Sequence, residues 1–166
     1  LNGVVEVDQA FIGGVNNKEI IVVAAEKRGS ATGRIRLKHV QQETAEQLQG
    51  FIMETVATGA TIVSDRHKSY HTIVKKGYSY EAHKKPYFWK EVDGDDERLL
   101  PRAHRVVSLL KRWYYGTYQG RIDKNNLQVY LDEFVFRFNR RRSGCRGLVF
   151  HRMVEAAVRS KPNPVR

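Results

Sequence analysis

The feature that most constrains the fold is a change in the spacing of apolar residues after residue 40. Before it, apolar residues recur with the period of β-strands in Val4–Ile12, Glu19–Ala25 and Arg34–Val40. Glycine and asparagine, which favour tight turns, separate these runs at Gly13–Asn17 and Gly29–Gly33. Three strands joined by short turns predict an antiparallel meander.

Helical spacing replaces the strand pattern over Glu43–Thr58, where Thr44 is a candidate cap and Gly59 a candidate end. Beyond it we predict a strand at Thr61–Asp65, a short helix at His67–Lys75, a strand at Tyr78–His83, a loop at Lys84–Pro101, and helices at Arg102–Tyr115 (ended by Gly116), Lys124–Arg141 and Leu148–Arg159. This order fits an α/β fold with a ribonuclease-H-like mixed sheet, three antiparallel strands plus parallel strands, flanked by helices. In such a sheet the strand after the first helix lies parallel to the first strand, which brings Asp8 and Asp65 to neighbouring strands.

The chain of 166 residues has a formal charge of +11, and its C-terminal part carries all of this excess. Residues 1–101 hold 14 Lys and Arg against 14 Asp and Glu, whereas residues 102–166 hold 15 against 4. A merely soluble surface does not predict this segregation. We therefore expect an anionic partner, and nucleic acid is the usual one.

Other features exclude several classes of protein. Cys145 is the only cysteine, which excludes a disulfide framework and a cysteine-rich zinc site and favours a reducing compartment. No run of about 18 apolar residues predicts a membrane span. Leu1–Glu6 lacks the basic and apolar regions of a signal peptide, and because the chain has no initiator Met we expect an upstream part.

Two aspartates are the candidates for chemistry. Asp8 lies within the first predicted strand and Asp65 at the end of the fourth. Neighbouring carboxylates repel each other unless they share cations, and Mg²⁺ prefers such hard oxygen ligands. Two ions about 4 Å apart can activate an attacking oxygen and stabilise a leaving one. For Asp65 alone a helix cap is the plainer interpretation, whereas an unpaired charge at Asp8 would be costly to bury.

Two histidines also have the spacing of metal ligands. His67 and His71 are four residues apart, as in many zinc sites. Because no further ligands accompany them, we interpret both as surface residues of a short helix.

Several segments together carry a family resemblance. They are Val5–Gly14 (VEVDQAFIGG), Ser64–Tyr70 (SDRHKSY), Ser108–Arg112 (SLLKR), Gly116–Tyr118 (GTY) and Tyr130–Arg141 (YLDEFVFRFNRR). In this order they resemble the three motif blocks of the ISXO-type insertion-sequence transposases, within the DDE superfamily. The last segment is long and specific, and the matches run from about residue 5 to residue 142.

The resemblance implies a ribonuclease-H-like fold and a metal-dependent DNA strand transferase. Such enzymes use water to nick DNA at the element end, and the freed 3′-hydroxyl then attacks target DNA. The resemblance makes Asp8 and Asp65 the first two metal-binding acids, with Mg²⁺ or Mn²⁺, as two ions, as cofactor. At the third position the family has Glu, or Asn in some branches, whereas this chain has His104, two helical turns before Lys111. We therefore predict Asp8, Asp65 and His104 as catalytic and metal-binding residues.

Two alternatives stay open at the third position. Glu97, in the acidic loop before the helix, could supply the third acid, although it breaks the spacing to Lys111. Alternatively, His104 marks a decayed site, and the chain is a catalytically inactive, basic DNA-binding remnant. A nuclease that cuts without joining is a further alternative.

Phosphate contacts need Lys and Arg, and the C-terminal part interleaves them with aromatic residues. Trp113 is interpreted as a core residue, whereas Tyr114, Tyr115 and Tyr118 could either pack or stack on bases. Part of the arginine cluster also suits the C-terminal end of a helix. The predicted DNA-binding residues are Lys111, Arg112, Arg137, Arg140, Arg141 and Arg142, with Arg146 as a further candidate.

We predict one domain over residues 1–160, basic and helical from about residue 102, and a tail at 161–166. One cysteine cannot build the N-terminal zinc ribbon that usually precedes the family's catalytic domain, so we expect the catalytic domain only. The resemblance further implies a bacterial, cytoplasmic, nucleoid-associated protein. Its expected partner is DNA, both element ends and target, with no membrane, and it would act as a homodimer or higher oligomer on DNA.

Overall fold

In the computed structural model, which describes residues 1–14, 17–65, 68–83 and 100–159, the strands form one mixed sheet. The strands are β1 (Val4–Gly14), β2 (Asn17–Arg28), β3 (Ala31–Val40), β4 (Thr61–Ser64) and β5 (Ser79–Ala82). The helices are α1 (Ala45–Thr55), a 3₁₀ helix (Lys68–Lys76), α2 (Pro101–Tyr118), α3 (Leu127–Asn139) and α4 (Arg146–Arg159). Within these described ranges, no helix is both long and apolar enough to span a membrane.

The sheet has the strand order β3-β2-β1-β4-β5. β1 pairs with β2 and β2 with β3 in antiparallel fashion, which confirms the predicted meander. After α1 the chain returns to the other side of β1, where β4 pairs with it in parallel, and β5 then pairs in parallel with β4. The predicted α/β class, with three antiparallel strands, parallel partners and flanking helices, is therefore confirmed.

The ends of two helices differ from the predictions. Thr44 caps α1 as predicted, accepting a hydrogen bond from the Gln47 amide, but the helix ends at Thr55 because Val56 is extended. Helix α2 was predicted to end at Gly116 and instead continues to Tyr118. The left-handed backbone that ends it lies at Gln119, with a φ of 52°.

Helices cover the two faces of the sheet. Alternate residues of β1 point to opposite sides, so Val5 and Val7 pack with α1 and the 3₁₀ helix while Ile12 packs with α2 and α3. Helix α3 is fastened to β3 at two points. The Asn139 side chain exchanges hydrogen bonds with the backbone of Ile35, and Gln128 accepts from the His39 amide.

Helix α4 stands apart from this core, because none of its residues is buried. Its apolar side chains are exposed, Phe150 and Val158 most of all. The predicted domain limit at residue 160 stays a prediction, and the predicted tail lies outside the described residues, as does most of the predicted loop at Lys84–Pro101.

Candidate active site

The parallel pairing of β1 with β4 sets the relation between the two aspartates. The register aligns Val4 with Thr61 and Glu6 with Val63. Asp8 lies two residues beyond Glu6 on β1, and Asp65 lies two residues beyond Val63, just after the end of β4. The pairing of the two strands therefore agrees with the prediction that the two acids lie on neighbouring strands.

Helix α2 adds the third predicted residue. The His104 Nε2 atom lies 3.3 Å from Oδ2 of Asp8, and the other carboxylate oxygen accepts a hydrogen bond of 2.9 Å from the Gln9 amide. The Asp8 side chain is 13% exposed and that of His104 is 52% exposed. A nearly buried carboxylate is therefore covered by an imidazole that solvent can reach.

A buried phenol lies close to both acids. Burial raises the pKa of Tyr70 far above its usual range, and the charges of Asp65 and Asp8 raise it further. The hydroxyl accepts a 2.5 Å hydrogen bond from the Gln9 side chain. Both carboxylates are therefore within electrostatic range of this hydroxyl, and a phenol that stays neutral adds no negative charge near them. No role was predicted for Tyr70 from the sequence, although the residue ends the second motif.

Helix α2 runs along β1 in the same direction. Tyr115 contacts Gly13 with its hydroxyl, donating to the carbonyl at 3.1 Å and accepting from the amide at 3.3 Å. From Asp8 to Gly13 the strand rises about 17 Å, and from His104 to Tyr115 the helix rises about 17 Å. Because the strand and the helix rise by the same distance, α2 lies along β1 from Asp8 to the tip of the β1–β2 hairpin.

A second acidic residue of β1 also contacts α2. Glu6 is 4% exposed and accepts hydrogen bonds from the backbone amides of Arg102 and Ala103 and from the Arg102 guanidinium. Glu6 was not predicted as a functional residue. The only signal for it in the sequence is a carboxylate two residues before Asp8 in an apolar strand.

The donor set suits a hard divalent cation in part. Two carboxylates on neighbouring strands are the ligands that Mg²⁺ takes together with phosphate oxygens and water. The imidazole of His104 is a softer ligand, and it contacts Asp8 directly. Among the described residues, no group of three or more His, Cys, Asp or Glu side chains is arranged to hold a metal ion. The fit therefore rests on the Asp8 and Asp65 pair.

The predicted DNA-binding residues of α2 lie near this pair. Lys111 is two helical turns from His104 on the same face, and Arg112 is exposed beside it. The α2 aromatics mostly pack. Trp113 contacts Phe134, as its core interpretation requires, and Tyr114 is buried with its hydroxyl on the Gly120 carbonyl.

The arginines at the end of α3 differ in their contacts. Arg137 pairs with Glu133, and Arg140 stacks over the Phe136 ring at 3.8 Å. Arg142 is exposed.

Arg141, next to Arg142, is also exposed, but its side chain contacts the protein backbone. Its guanidinium donates to the backbone carbonyls of Thr32, Gly33 and Phe138. Burial lowers the pKa of Arg141, and the charges of Arg142 and Arg105 lower it further. This places Arg105, the residue after His104, in the same basic cluster, although it was not predicted.

The remaining candidate ligands do not join the site within the described residues. His71 is exposed, and its ring lies 5.9 Å from that of Tyr80. His67 and Glu97, the alternative third acid, lie outside the described residues, and so does Arg66 of the second motif.

Comparison with known proteins agrees with this geometry. Residues 1–139 match the family model of the ISXO2-like transposase domain. No curated protein sequence matches the chain.

Two retroviral assemblies are among the similar solved structures. The catalytic core domain of HTLV-2 integrase in complex with magnesium, in trimeric and dimeric forms, has a TM-score of 0.54 and 11% identity over 84% of this chain and 86% of that one. A cryo-EM structure of the simian T-cell lymphotropic virus intasome with PP2A regulatory subunit B56 gamma has a TM-score of 0.53 and 15% identity. That match covers 78% of this chain and 47% of the intasome chain, so this chain spans less than half of it. At such low identity the likeness concerns the fold, and it confirms the predicted ribonuclease-H-like class.

Proposed function

Because this chain belongs to the family of ISXO2-like transposase domains, we propose that it is the catalytic domain of a DDE-type transposase. The proposed reaction is metal-dependent nicking of DNA at an element end, followed by attack of the freed 3′-hydroxyl on target DNA. The observation that carries the proposal is the meeting of Asp8 with the strand end at Asp65 and the His104 ring 3.3 Å from Asp8.

Asp8 and Asp65 are the residues that would hold the cation. When bound, one or two Mg²⁺ or Mn²⁺ ions would supply Lewis-acid activation of the attacking oxygen and stabilise the leaving one. Asp8 is fixed for this task because the Gln9 amide occupies one carboxylate oxygen and leaves the other directed toward α2. His104 completes the proposed site as a neutral imidazole with Nε2 directed at the same point.

The basic residues would bring the DNA backbone to the acids. Lys111 lies on the His104 face of α2, so a phosphate that it holds would lie two helical turns from the site. Arg112 and Arg142 are exposed and could contact phosphate without breaking a hydrogen bond or ion pair found among the described residues. Arg137, Arg140 and Arg141 would contribute positive potential rather than new contacts, since their guanidinium groups are already engaged.

The contact between His104 and Asp8 also favours a second candidate function. A protonated imidazole at 3.3 Å would form an ion pair with Asp8 and occupy the place where a cation would approach. In that case the chain would be an inactive DNA-binding domain that keeps the fold. We further propose DNA of the bacterial cytoplasm as substrate and a dimer on paired element ends.

Strand cleavage and joining assays decide between these functions. A labelled oligonucleotide with an element end is incubated with Mg²⁺ or Mn²⁺ and wild-type protein, or with Asp8→Asn, Asp65→Asn or His104→Ala. Losing a metal ligand should lower the nicking rate of both Asn variants at least 100-fold while DNA affinity stays within about twofold.

Asp132→Asn is the matched control, because Asp132 is an aspartate of α3 whose carboxylate contacts only Gln128 of the same helix among the contacts described. It should nick at the wild-type rate. A wild-type protein that binds DNA but is inert with both metals would establish the second function. Full activity of His104→Ala would remove His104 from the site.

A further inference from the structure

Glu6 supplies the cap of a helix that starts 95 residues later in the chain. Pro101, the first residue of α2, has no amide hydrogen, and Leu100 makes no side-chain capping bond. The first hydrogen bond within the helix runs from the His104 amide to the Leu100 carbonyl, at 2.9 Å. Only the amides of Arg102 and Ala103 are left without a partner inside the helix.

One carboxylate oxygen of Glu6 satisfies both of these amides. It accepts from Arg102 at 2.7 Å and from Ala103 at 2.9 Å. Capping usually comes from the residue that precedes a helix, and here it comes from the neighbouring strand β1. The negative charge also lies at the positive end of the helix dipole, where it is stabilising.

The other carboxylate oxygen ties the same helix end to the sheet edge. It accepts from the Arg102 guanidinium at 2.8 Å. This guanidinium also donates to the carbonyls of Gly29, in the β2–β3 turn, and Ala31, the first residue of β3. Glu6 and Arg102 therefore fix the position of α2 along β1. Arg102 also joins the start of the helix to the β2–β3 turn.

We propose that Glu6 is a positioning residue that sets the His104 ring against Asp8. Glu6 and Asp8 are two residues apart on one face of β1, and Ala103 and His104 are consecutive on α2. Fixing the amide of Ala103 therefore fixes where the next side chain meets the strand. This inference rests on the proposed function for its effect on catalysis, because a misplacement of about 1 Å can cost about 100-fold in rate.

The test compares Glu6→Gln with a control on the adjacent strand. Glu26 is also buried, accepts from two backbone amides, Asn2 and Arg34, and pairs with the Arg34 guanidinium. Among the described residues, none of these polar contacts of Glu26 involves α2. Glu26→Gln thus removes the same charge from a similar setting. The measurements are the nicking rate at saturating DNA and Mn²⁺, the Kd for DNA, and the ring proton resonances of His104 at constant pH without metal.

Glu6→Gln should lower the nicking rate about 10- to 100-fold with the Kd within about twofold, since DNA contacts lie elsewhere. Its His104 ring resonances should move toward those of Asp8→Asn, because in both variants the ring no longer contacts a carboxylate. Glu26→Gln should leave the His104 resonances at their wild-type positions and the rate within about threefold, whatever its loss of stability.

Equal changes in the two variants, or wild-type resonances in Glu6→Gln, would overturn the positioning role. A wild-type protein that fails to nick would instead count against the proposed function, and the ring resonances would still decide the role of Glu6. If Glu6→Gln does not fold, Arg102→Lys supplies the comparison, because it keeps a cation beside Glu6 and loses the donors to Gly29 and Ala31. It should displace the same resonances.

Discussion

Arg141 and Arg142 are adjacent in sequence and both are exposed, but they differ in their contacts. The Arg141 guanidinium donates to the Thr32 and Gly33 carbonyls of β3 and to the Phe138 carbonyl of α3, whereas no such bond is found for Arg142 among the described residues. Arg141→Ala should therefore lower the free energy of unfolding by about 1–3 kcal/mol, as expected when charge-assisted hydrogen bonds are lost. Arg142→Ala should change it by less than about 0.5 kcal/mol and weaken DNA binding instead. Urea unfolding and fluorescence anisotropy measure the two effects, and a loss of stability confined to Arg142→Ala would contradict this division.

The stability of the protein should fall at alkaline pH in part through Tyr114. Burial raises the pKa of Tyr114, and the neighbouring Tyr115 raises it further. Below pH 10 the phenol is protonated in both the folded and unfolded chain. Above pH 10 the unfolded chain ionises first, so stability falls by up to about 1.4 kcal/mol per pH unit for this group.

Tyr114→Phe removes this titration together with the hydrogen bond to Gly120. In urea unfolding between pH 9 and pH 11, the variant should start lower at pH 9 and fall less steeply above pH 10. Part of the fall in stability should remain in both proteins, because the pKa of Tyr70 is raised as well. Parallel curves for the two proteins would show that Tyr114 does not contribute.

What the sequence could predict at this scale was set by local pattern. Asp8 and Asp65 could be predicted to lie on neighbouring strands because strand periodicity and a parallel crossover determine which residues become neighbours. From the sequence, Glu6 was assigned no role and Arg141 was assigned to DNA binding. The residues that they contact in the structure lie 96 and 109 positions away in the chain. Such pairings depend on how α2 and α3 dock, which no local spacing encodes.

At the scale of elements, the end of α2 depends on two glycines with opposite requirements. Gly116 lies inside the helix, and a Cβ there would meet nothing within 4 Å. Gly120 follows the helix with a φ of +73°, and a Cβ there would lie 3.3 Å from the Tyr115 ring. The sequence pattern placed the helix end at the first glycine, because glycine often ends helices. In the structure the left-handed backbone begins three residues later, at Gln119, and continues at Gly120.

Alanine at each position should therefore act in opposite directions. Gly116→Ala should stabilise the protein by about 0.5–1 kcal/mol, because alanine has the higher helix propensity and restricts the unfolded chain. Gly120→Ala should destabilise it, since the left-handed backbone is strained for an L-residue. Thermal and urea unfolding of the two variants provide the measurement. Destabilisation by Gly116→Ala would mean that the helix ends at that glycine after all.

Elements with a continuous apolar stripe were the most predictable. In α3 the buried residues Leu127, Leu131, Phe134 and Phe138 recur at helical spacing and form one apolar stripe. In α4 a similar composition predicts a helix equally well, and the helix forms, yet it buries nothing within the described part of the chain. Periodicity predicts that a helix has an apolar side, and the tertiary contacts decide whether that side is covered.

At the scale of the whole molecule, the charge is segregated along the fold as it is along the sequence. The electrically balanced first 101 residues build the sheet that carries Asp8 and Asp65, and the +11 excess lies on and beyond α2. Helix α2 connects the two parts, because His104 near its start contacts Asp8 and Lys111, two turns later, carries positive charge. The positive field is therefore directed at the proposed site.

This arrangement predicts how salt should affect DNA binding. Each phosphate contact that is lost should reduce the slope of log K against log salt by about 0.9 on duplex DNA. Replacing Lys111 and Arg112 together by glutamine should reduce the slope by about one to two.

Replacing Lys75 and Lys76, exposed at the end of the 3₁₀ helix, removes the same net charge from the other face of the sheet. That control should leave the slope within about 0.3 of wild type, because charges that do not touch phosphate release no counterions. Titrations from about 50 to 200 mM salt give both slopes. If the two double variants reduced the slope equally, net charge alone would drive binding. Lys111 and Arg112 of α2 would then not be specific phosphate contacts.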